Sequence, residues 1–334
     1  MPRVTIAIPT LHAGRLLSKC LGSLARQTFT DFEVIILDNS GCGRATDERA
    51  PLPVHIVDMR SNAGFGVAVN HAIRSSSSSL VATLNDDTEA HAEWLEALVS
   101  AADKHAGAGM FASQIRLFGT GLLDSAGMLI ARDGSSKQRG RFSEPSTFGS
   151  PGEVLFPSAC AALYRRAMLD DIGLFDETFF LYCEDTDLGL RARWAGWSCQ
   201  YVPAAVVEHH YSASAAGDSE LKARCVERNR LRVLAHNFPA PFVLQAPFVS
   251  MARFYMHFRE MKRSPGAATG RVQGISPWAA IRILFSAHLA FLRDLPSLIR
   301  RRHEIRRGAR VGPADFAALL RAHTITVRQL AGQT

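Results

Sequence analysis

An α/β fold with a mostly parallel central sheet and a helical C-terminal extension follows from three observations on this 334-residue sequence. Short β-rich runs alternate with helical patterns through the first half, polar residues follow each run, and past Tyr211 the pattern turns helical. Strand, helix and strand repeated in this way predict parallel strands joined by crossover helices.

The elements fall in order. Val4–Ile8 reads as a strand, Leu16–Ala25 as an amphipathic helix, Glu33–Leu37 and Val54–Val57 as strands, Ala68–Ile73 as a helix and Leu80–Leu84 as a strand. Ligands in such sheets bind at the carboxyl ends of the strands. The informative residues are therefore Pro9-Thr10, Asp38-Asn39, Asn62 to Gly66, and Asn85-Asp86-Asp87. The serine run Ser75–Ser79 reads as a solvated loop. Gly119–Gly152, rich in Gly, Ser and Arg, reads as a long surface loop that either orders over a ligand or is a plain solvated insertion. Further on, Trp278, Ile281, Phe285, Leu289 and Leu292 recur at spacings of three and four and draw an apolar stripe, with Arg282 and Arg293 off it. We place a boundary near residue 235, with a catalytic domain over 1–235 and a helical region over 236–334 that attaches to a membrane or a second copy.

Composition narrows the class. Apolar residues make up 47% and charged residues 21% of the chain, as in soluble globular proteins rather than disordered or membrane-spanning ones. The formal charge of +7 is compatible with nucleic acid, anionic lipid or phosphate-bearing partners. Much of the excess sits late, in Arg300, Arg301, Arg302, Arg306, Arg307 and Arg310, away from the strand ends, which points to a surface role. The six cysteines form no C-x-x-C pair, so neither a zinc site nor a disulfide framework is indicated. The N-terminus lacks the regions of a signal peptide, and no apolar run reaches the roughly 18 residues needed to span a bilayer. A cytoplasmic protein is expected.

Three constellations carry chemistry. Asn85-Asp86-Asp87-Thr88-Glu89 follows an apolar strand, where carboxylates can hold Mg²⁺ or Mn²⁺ against substrate phosphates. In an extended segment Asp87 and Glu89 point the same way. A helix N-cap before Trp94–Leu98 explains the same acids equally well. Glu184-Asp185-Thr186-Asp187 lies between aromatic and apolar residues, and buried carboxylates there acquire raised pKa values suited to a general base. For Asp187 helix capping is the preferred reading. His209-His210 follows the strand-like Ala204–Val207, and a neutral imidazole is a ready metal ligand. The G-x-G of Gly64 and Gly66 lacks the third glycine of a dinucleotide fingerprint, and reads as close backbone approach to a ligand or as a tight turn before a helix.

Taken together, these blocks, from Val4–Thr10 through Asp38-Asn39-Ser40, Asn62–Asn70, Leu84–Glu89, Phe175-Asp176-Glu177, Phe179–Ala192 and Val206–Ser214, resemble inverting family 2 glycosyltransferases with the GT-A fold. The bacterial rhamnosyltransferase-like branch is the nearest in pattern. The resemblance implies that Pro9, Thr10, Asp38, Asn62, Gly64, Gly66, Asn85 and Asp86 bind the donor nucleotide. It further implies that Asp87, Glu89 and His209 bind Mg²⁺ or Mn²⁺, with His210 the alternative to His209. Asp185 becomes the catalytic base and Glu184 its support. Asn85 stands where the family's D-x-D motif begins, and Asp86 where proline is frequent. The implied reaction moves a sugar, rhamnose favoured, from a dTDP- or UDP-sugar to a glycan or lipid-linked hydroxyl in cell-surface polysaccharide synthesis. Implied partners include the inner face of the plasma membrane and a homodimer mate, with no nucleic acid. The alternatives are a nucleotidyltransferase or dehydrogenase on a related sheet, disfavoured by the incomplete glycine pattern, and a non-catalytic sugar-nucleotide or polysaccharide-binding protein that retains the fold.

Overall fold

A computed structural model describes residues 1–47, 50–210, 219–263 and 277–326, together with Gln329. Residues 211–214 of the last resemblance block lie outside the described residues. The chain forms two compact units. The first comprises 1–128, 138–192 and 197–214, and the second comprises 129–137, 193–196 and 215–334.

The strands are β1 (Val4–Thr10), β2 (Phe32–Asp38), β3 (His55–Asp58), β4 (Leu80–Leu84), β5 (Thr88–Ala90), β6 (Ala108–Leu117), β7 (Leu123–Ser125), β8 (Met128–Ile130), β9 (Ser136–Gln138), β10 (Gly152–Val154), β11 (Ala161–Arg165) and β12 (Ser198–His209). The helices are α1 (Arg15–Leu24), α2 (Phe65–Ser75), α3 (Trp94–Lys104), α4 (Arg166–Ile172), α5 (Glu184–Trp194), α6 (Ser219–Asn237), α7 (Ala240–Arg263), α8 (Pro277–Arg307) and α9 (Pro313–Ala322).

The main sheet runs β10-β12-β6-β11-β4-β1-β2-β3, with β5 on β12 and β7 on β6. One half of it is parallel throughout: β4, β1, β2 and β3 pair in one direction. β11 runs antiparallel to both β4 and β6, and β12 runs parallel to β6. Two reversals restore the direction, so β12 ends on the same edge as β1, β2 and β4. That is how His209, far along the chain, reaches the acidic cluster after β4.

The parallel strands read as continuous apolar runs because both faces are covered. Val4, Ile6 and Ile8 of β1, Leu17 and Leu21 of α1, and Trp94 and Leu98 of α3 share one core with Phe111 of β6. Each such fully buried side chain contributes roughly 1.5–3 kcal/mol. The indole of Trp94 donates to Ser113 at 2.9 Å, so the large ring is buried without an orphaned N–H.

Two expectations are revised. The segment Gly119–Gly152 is not one long loop, since β7, β8 and β9 are threaded through it and β10 begins at its end. Each is three residues long, too short for alternation to show. The break expected near 235 lies inside α6, which belongs whole to the second unit. Residue 235 falls in the last turn of that helix, with buried Val233, Leu234 and Phe238 around it.

Candidate active site

Strand β1 ends on Thr10, which is buried and holds the turn beyond it by accepting the amide of Ala13 at 3.0 Å. Its hydroxyl donates to Asp86 at 2.5 Å. Burial pushes the Asp86 carboxyl up to about 6 against that hydrogen bond, and the neighbouring charge of Asp87 adds to the rise. Pro9, half-buried beside Thr10, sits opposite Leu37 of β2.

Asp38 ends β2 and is fully buried. One oxygen accepts the amide of Ser40 at 2.9 Å and the other the amide of Ala45 at 2.8 Å. Burial works to raise its pKa, but the Ser40 hydroxyl, these two amides and the charge of Arg44 outweigh it and hold the carboxyl below its ordinary value. The sequence marked Asp38 for the nucleotide, and in the structure its carboxylate shapes the loop that follows the strand.

The Asn62–Gly66 turn is locally closed, with the exposed Asn62 side chain accepting the amide of Gly64 at 3.1 Å. Gly64 has φ +87, and a Cβ there would lie 2.3 Å from the carbonyl oxygen of Phe180. That carbonyl accepts the amide of Phe65 at 2.8 Å. The close approach read from the glycines is thus to the chain's own backbone. A Cβ at Gly66 would meet the Phe175 side chain at 3.4 Å, an ordinary van der Waals contact, so the close approach is at Gly64.

The centre of the acidic cluster is Asp87. It is 2% exposed, and its Oδ1 lies 3.3 Å from Nε2 of His209, itself 9% exposed. The other ring nitrogen, Nδ1, is 2.9 Å from Asp124 on β7, and Asp124 in turn faces Arg141 at 3.5 Å. Burial alone would lower the pKa of His209, but Cys160, Asp124 and Asp87 overcome it and raise it well above the ordinary value. The arrangement gives an oxygen and a nitrogen donor side by side, with the ring turned by a buried carboxylate behind it. Such a donor pair fits a divalent ion such as Mn²⁺.

His210 and Glu89 are drawn elsewhere. Nε2 of His210 is 2.7 Å from Glu89, its ring stacks on Phe118 at 3.8 Å, and Lys19 bonds the same carboxylate at 3.1 Å. Burial raises the Glu89 pKa, but the bonds from His210 and Lys19 win and lower it. Of the two histidines, His209 is the one facing Asp87. Glu89 is held by Lys19 and His210 instead of standing beside Asp87. The Asn85 backbone, whose amide bonds the carbonyl of Cys160 at 2.8 Å, anchors the cluster.

Glu184 and Asp185 open α5. Glu184 is 7% exposed, and its Oε2 has no hydrogen-bond partner among the described residues. Burial, and then the adjacent charge of Asp185, push the Glu184 carboxyl up to about 8. Asp185 is half-buried and accepts the amide of Ala159 at 3.3 Å and that of Thr186 at 2.7 Å. Burial raises its pKa as well, against those hydrogen bonds. Asp187 lies in the first turn of α5, where its carboxylate takes Nε of Arg191 at 2.7 Å, and Arg191 ties down the carbonyls of Ile172, Gly173 and Leu174.

The short loop Ser158–Cys160 connects the two acidic groups. Its Ala159 amide holds Asp185, its Cys160 carbonyl holds Asn85, and the Cys160 thiol hydrogen-bonds His209. Asp124 and Cys160 were not found from the sequence, since neither sits in a motif and only the folded sheet brings them to His209.

Residues 2–232 match the sequence profile described as Glycosyltransferase like family 2. An N-acetylglucosaminyl-diphospho-decaprenol L-rhamnosyltransferase of Mycobacterium tuberculosis is 31% identical over 235 residues, covering 63% of this chain and 76% of that protein. An O-antigen biosynthesis protein of Myxococcus xanthus is 28% identical over 235 residues, 65% of this chain and 18% of that one. Among solved structures, the mannosyltransferase PcManGT from Pyrobaculum calidifontis, in complex with GDP-Man and Mn²⁺, aligns with TM-score 0.51 at 18% identity over 92% of this chain and 86% of its own. GalNAc-T7 with UDP, GalNAc and Mn²⁺ aligns with TM-score 0.59 at 14% identity over 89% of this chain and 57% of its own. At these identities the structural likeness establishes the GT-A-like fold.

Proposed function

The chain belongs to the family 2 glycosyltransferases, and on that premise we propose that it transfers a sugar, with inversion, from a nucleotide diphosphate donor to a hydroxyl of a glycan or lipid-linked acceptor. Rhamnose from a dTDP-sugar is favoured, with a UDP-sugar the other donor class. The support for this choice is the mycobacterial relative, whose name describes an L-rhamnosyltransferase acting on a diphospho-decaprenol acceptor. We place the transfer in cell-surface polysaccharide synthesis, a reading that the Myxococcus O-antigen biosynthesis relative also supports.

The observation that carries the mechanism is the pair Glu184-Asp185 at the start of α5, buried, raised in pKa, and tied through Ala159 to the loop that also holds the acidic cluster. Asp185 accepts the proton of the acceptor hydroxyl as its oxygen attacks the anomeric carbon from the face opposite the leaving diphosphate. A positioned base of this kind typically contributes about 10²–10⁴-fold. Asp87 and His209 would hold Mg²⁺ or Mn²⁺, which supplies Lewis-acid stabilisation of charge on the diphosphate. Thr10 and Asp86, bonded to each other at and just past the ends of β1 and β4, would contact the donor nucleotide.

The experiment is a donor screen by nucleotide release, with Mn²⁺ or Mg²⁺ and then with chelator, on the wild type and on Asp185→Asn. We expect release from one donor, dependent on metal, and a fall of about 10²-fold or more in the variant. No release from any nucleotide sugar with lipid-linked acceptors present would instead support a binding protein that retains the fold.

A further inference from the structure

The second unit carries two long helices whose outward faces are apolar. On α8, Trp278, Ile281, Phe285, Leu289, Leu292 and Ile299 are 80%, 56%, 70%, 57%, 63% and 47% exposed. Their spacing of three, four or seven residues puts them in one stripe along the helix. On α7, Leu244, Phe248, Met251 and Tyr255 repeat at four, three and four residues and are equally open to solvent. The inward side of α8 is separately satisfied, with Ile283, Ala287, Leu298 and Ile305 buried. Helix-long apolar stripes of this size mark an interaction surface.

The flanks say what covers it. Arg282, Arg293 and Arg300 are exposed and recur at eleven and seven residues, which keeps them along one edge of the α8 stripe. Beyond Ile299 the stripe itself runs out into exposed His303 and Arg307. Arg282 and Arg293 pair with Glu220 and Asp294, but their own side chains stay 70% and 76% exposed, which leaves the arginines available to other anions. The stripes are rich in Trp, Tyr, Phe, Met and Leu, with cations at the edge. That is the chemistry of a helix lying in the headgroup layer of a bilayer. A second copy of the chain is a poorer match. An antiparallel contact would lay the arginine edge beside its own copy, and a parallel one would set His303 and Arg307 against themselves.

We propose that the outward faces of α7 and α8 dock this protein on an anionic lipid surface, with the apolar stripes at headgroup depth and the α8 arginines on lipid phosphates. No helix among the described residues is long and apolar enough to cross a membrane, so the attachment lies on the bilayer rather than through it. The inference stands on the second unit alone and does not depend on the transfer reaction.

The test is co-sedimentation of the full chain with vesicles of phosphatidylcholine alone and of equal parts phosphatidylcholine and phosphatidylglycerol. We expect binding to the second kind, weakening as salt rises, and little to the first. The double variant Phe285→Glu/Leu289→Glu should lower partitioning by about tenfold or more. Arg293→Glu/Arg300→Glu should lower it with a shallower salt dependence, and keeps the inference testable if the first variant misfolds. Thermal melting of each variant checks the fold. The proposal is overturned if the wild type stays in the supernatant with anionic vesicles at low salt, or if both folded variants bind as well as wild type. It is equally overturned if light scattering gives a stable dimer that Phe285→Glu/Leu289→Glu converts to monomer, which would assign the face to a second copy.

Discussion

Asp124 decides which way His209 faces. Its carboxylate engages Nδ1 at 2.9 Å, so Nε2 is the nitrogen left pointing at Asp87. Carboxylates behind ligating histidines usually matter by about 10–100-fold in metal affinity. We therefore expect Asp124→Asn to raise the Mn²⁺ concentration needed for half-maximal nucleotide release by about that factor, while saturating metal restores most of the rate. Calorimetric titration of Mn²⁺ with the nucleotide diphosphate present checks the same point without turnover, and an unchanged affinity would remove Asp124 from the role. Asp87, His209, Glu184 and Asp185 could be singled out in the sequence because each abuts a strand or an aromatic run. Asp124 could not. It sits in a polar stretch whose strand is three residues long, and its meaning comes only from β7 pairing with β6, which ends beside β12.

The turn before α2 and the segment before α5 are locked to each other. Phe180, Tyr182 and Cys183 all have positive φ, at 65°, 68° and 69°, which is costly for residues with side chains. The carbonyl of Phe180 fills the space where a Gly64 side chain would be. Strain of this sort persists only where surrounding contacts enforce it, and here the enforcing contact delivers Glu184 and Asp185 into place. Gly64→Ala should cost about 2 kcal/mol or more, from the clash and the positive φ together. It should also lower kcat by more than it raises KM for the donor, since the disturbed segment leads to the base. Denaturant melts and steady-state kinetics read the two effects. The sequence showed that Gly64 permits a close approach but not what approaches, because Phe180 lies more than a hundred residues away. Strands β1, β2 and β4, by contrast, were plain as unbroken apolar runs, and α1 and α2 as amphipathic ones.

At the scale of the first unit, its ionisable groups split into two sets with opposite pH behaviour. Asp38 and Glu177 have lowered pKa values, so the stability they contribute is present above the ordinary carboxylate range and lost as pH falls through their folded values. Glu184 runs the other way. Its carboxyl rises from an ordinary 4.5 to about 8, so the folded state holds its proton more tightly than the unfolded one. Stability from that group is full below pH 4.5 and declines as pH rises toward about 8. The base chemistry needs the opposite condition, because Asp185 acts only when ionised and burial raises its pKa. Rising pH should therefore bring rising activity and falling stability, a trade common at active sites. The variant that separates the two is Glu184→Gln, which replaces the titrating carboxyl beside Asp185 with a neutral amide. Its melting temperature should lose most of the decline between pH 5 and 8 seen in the wild type, an interval set by the Glu184 values. The acid limb of its pH–rate profile should stay where it is, because Glu184 is still uncharged while Asp185 ionises. A melting curve series as steep in the variant as in the wild type would mean that the pH dependence arises elsewhere in the unit.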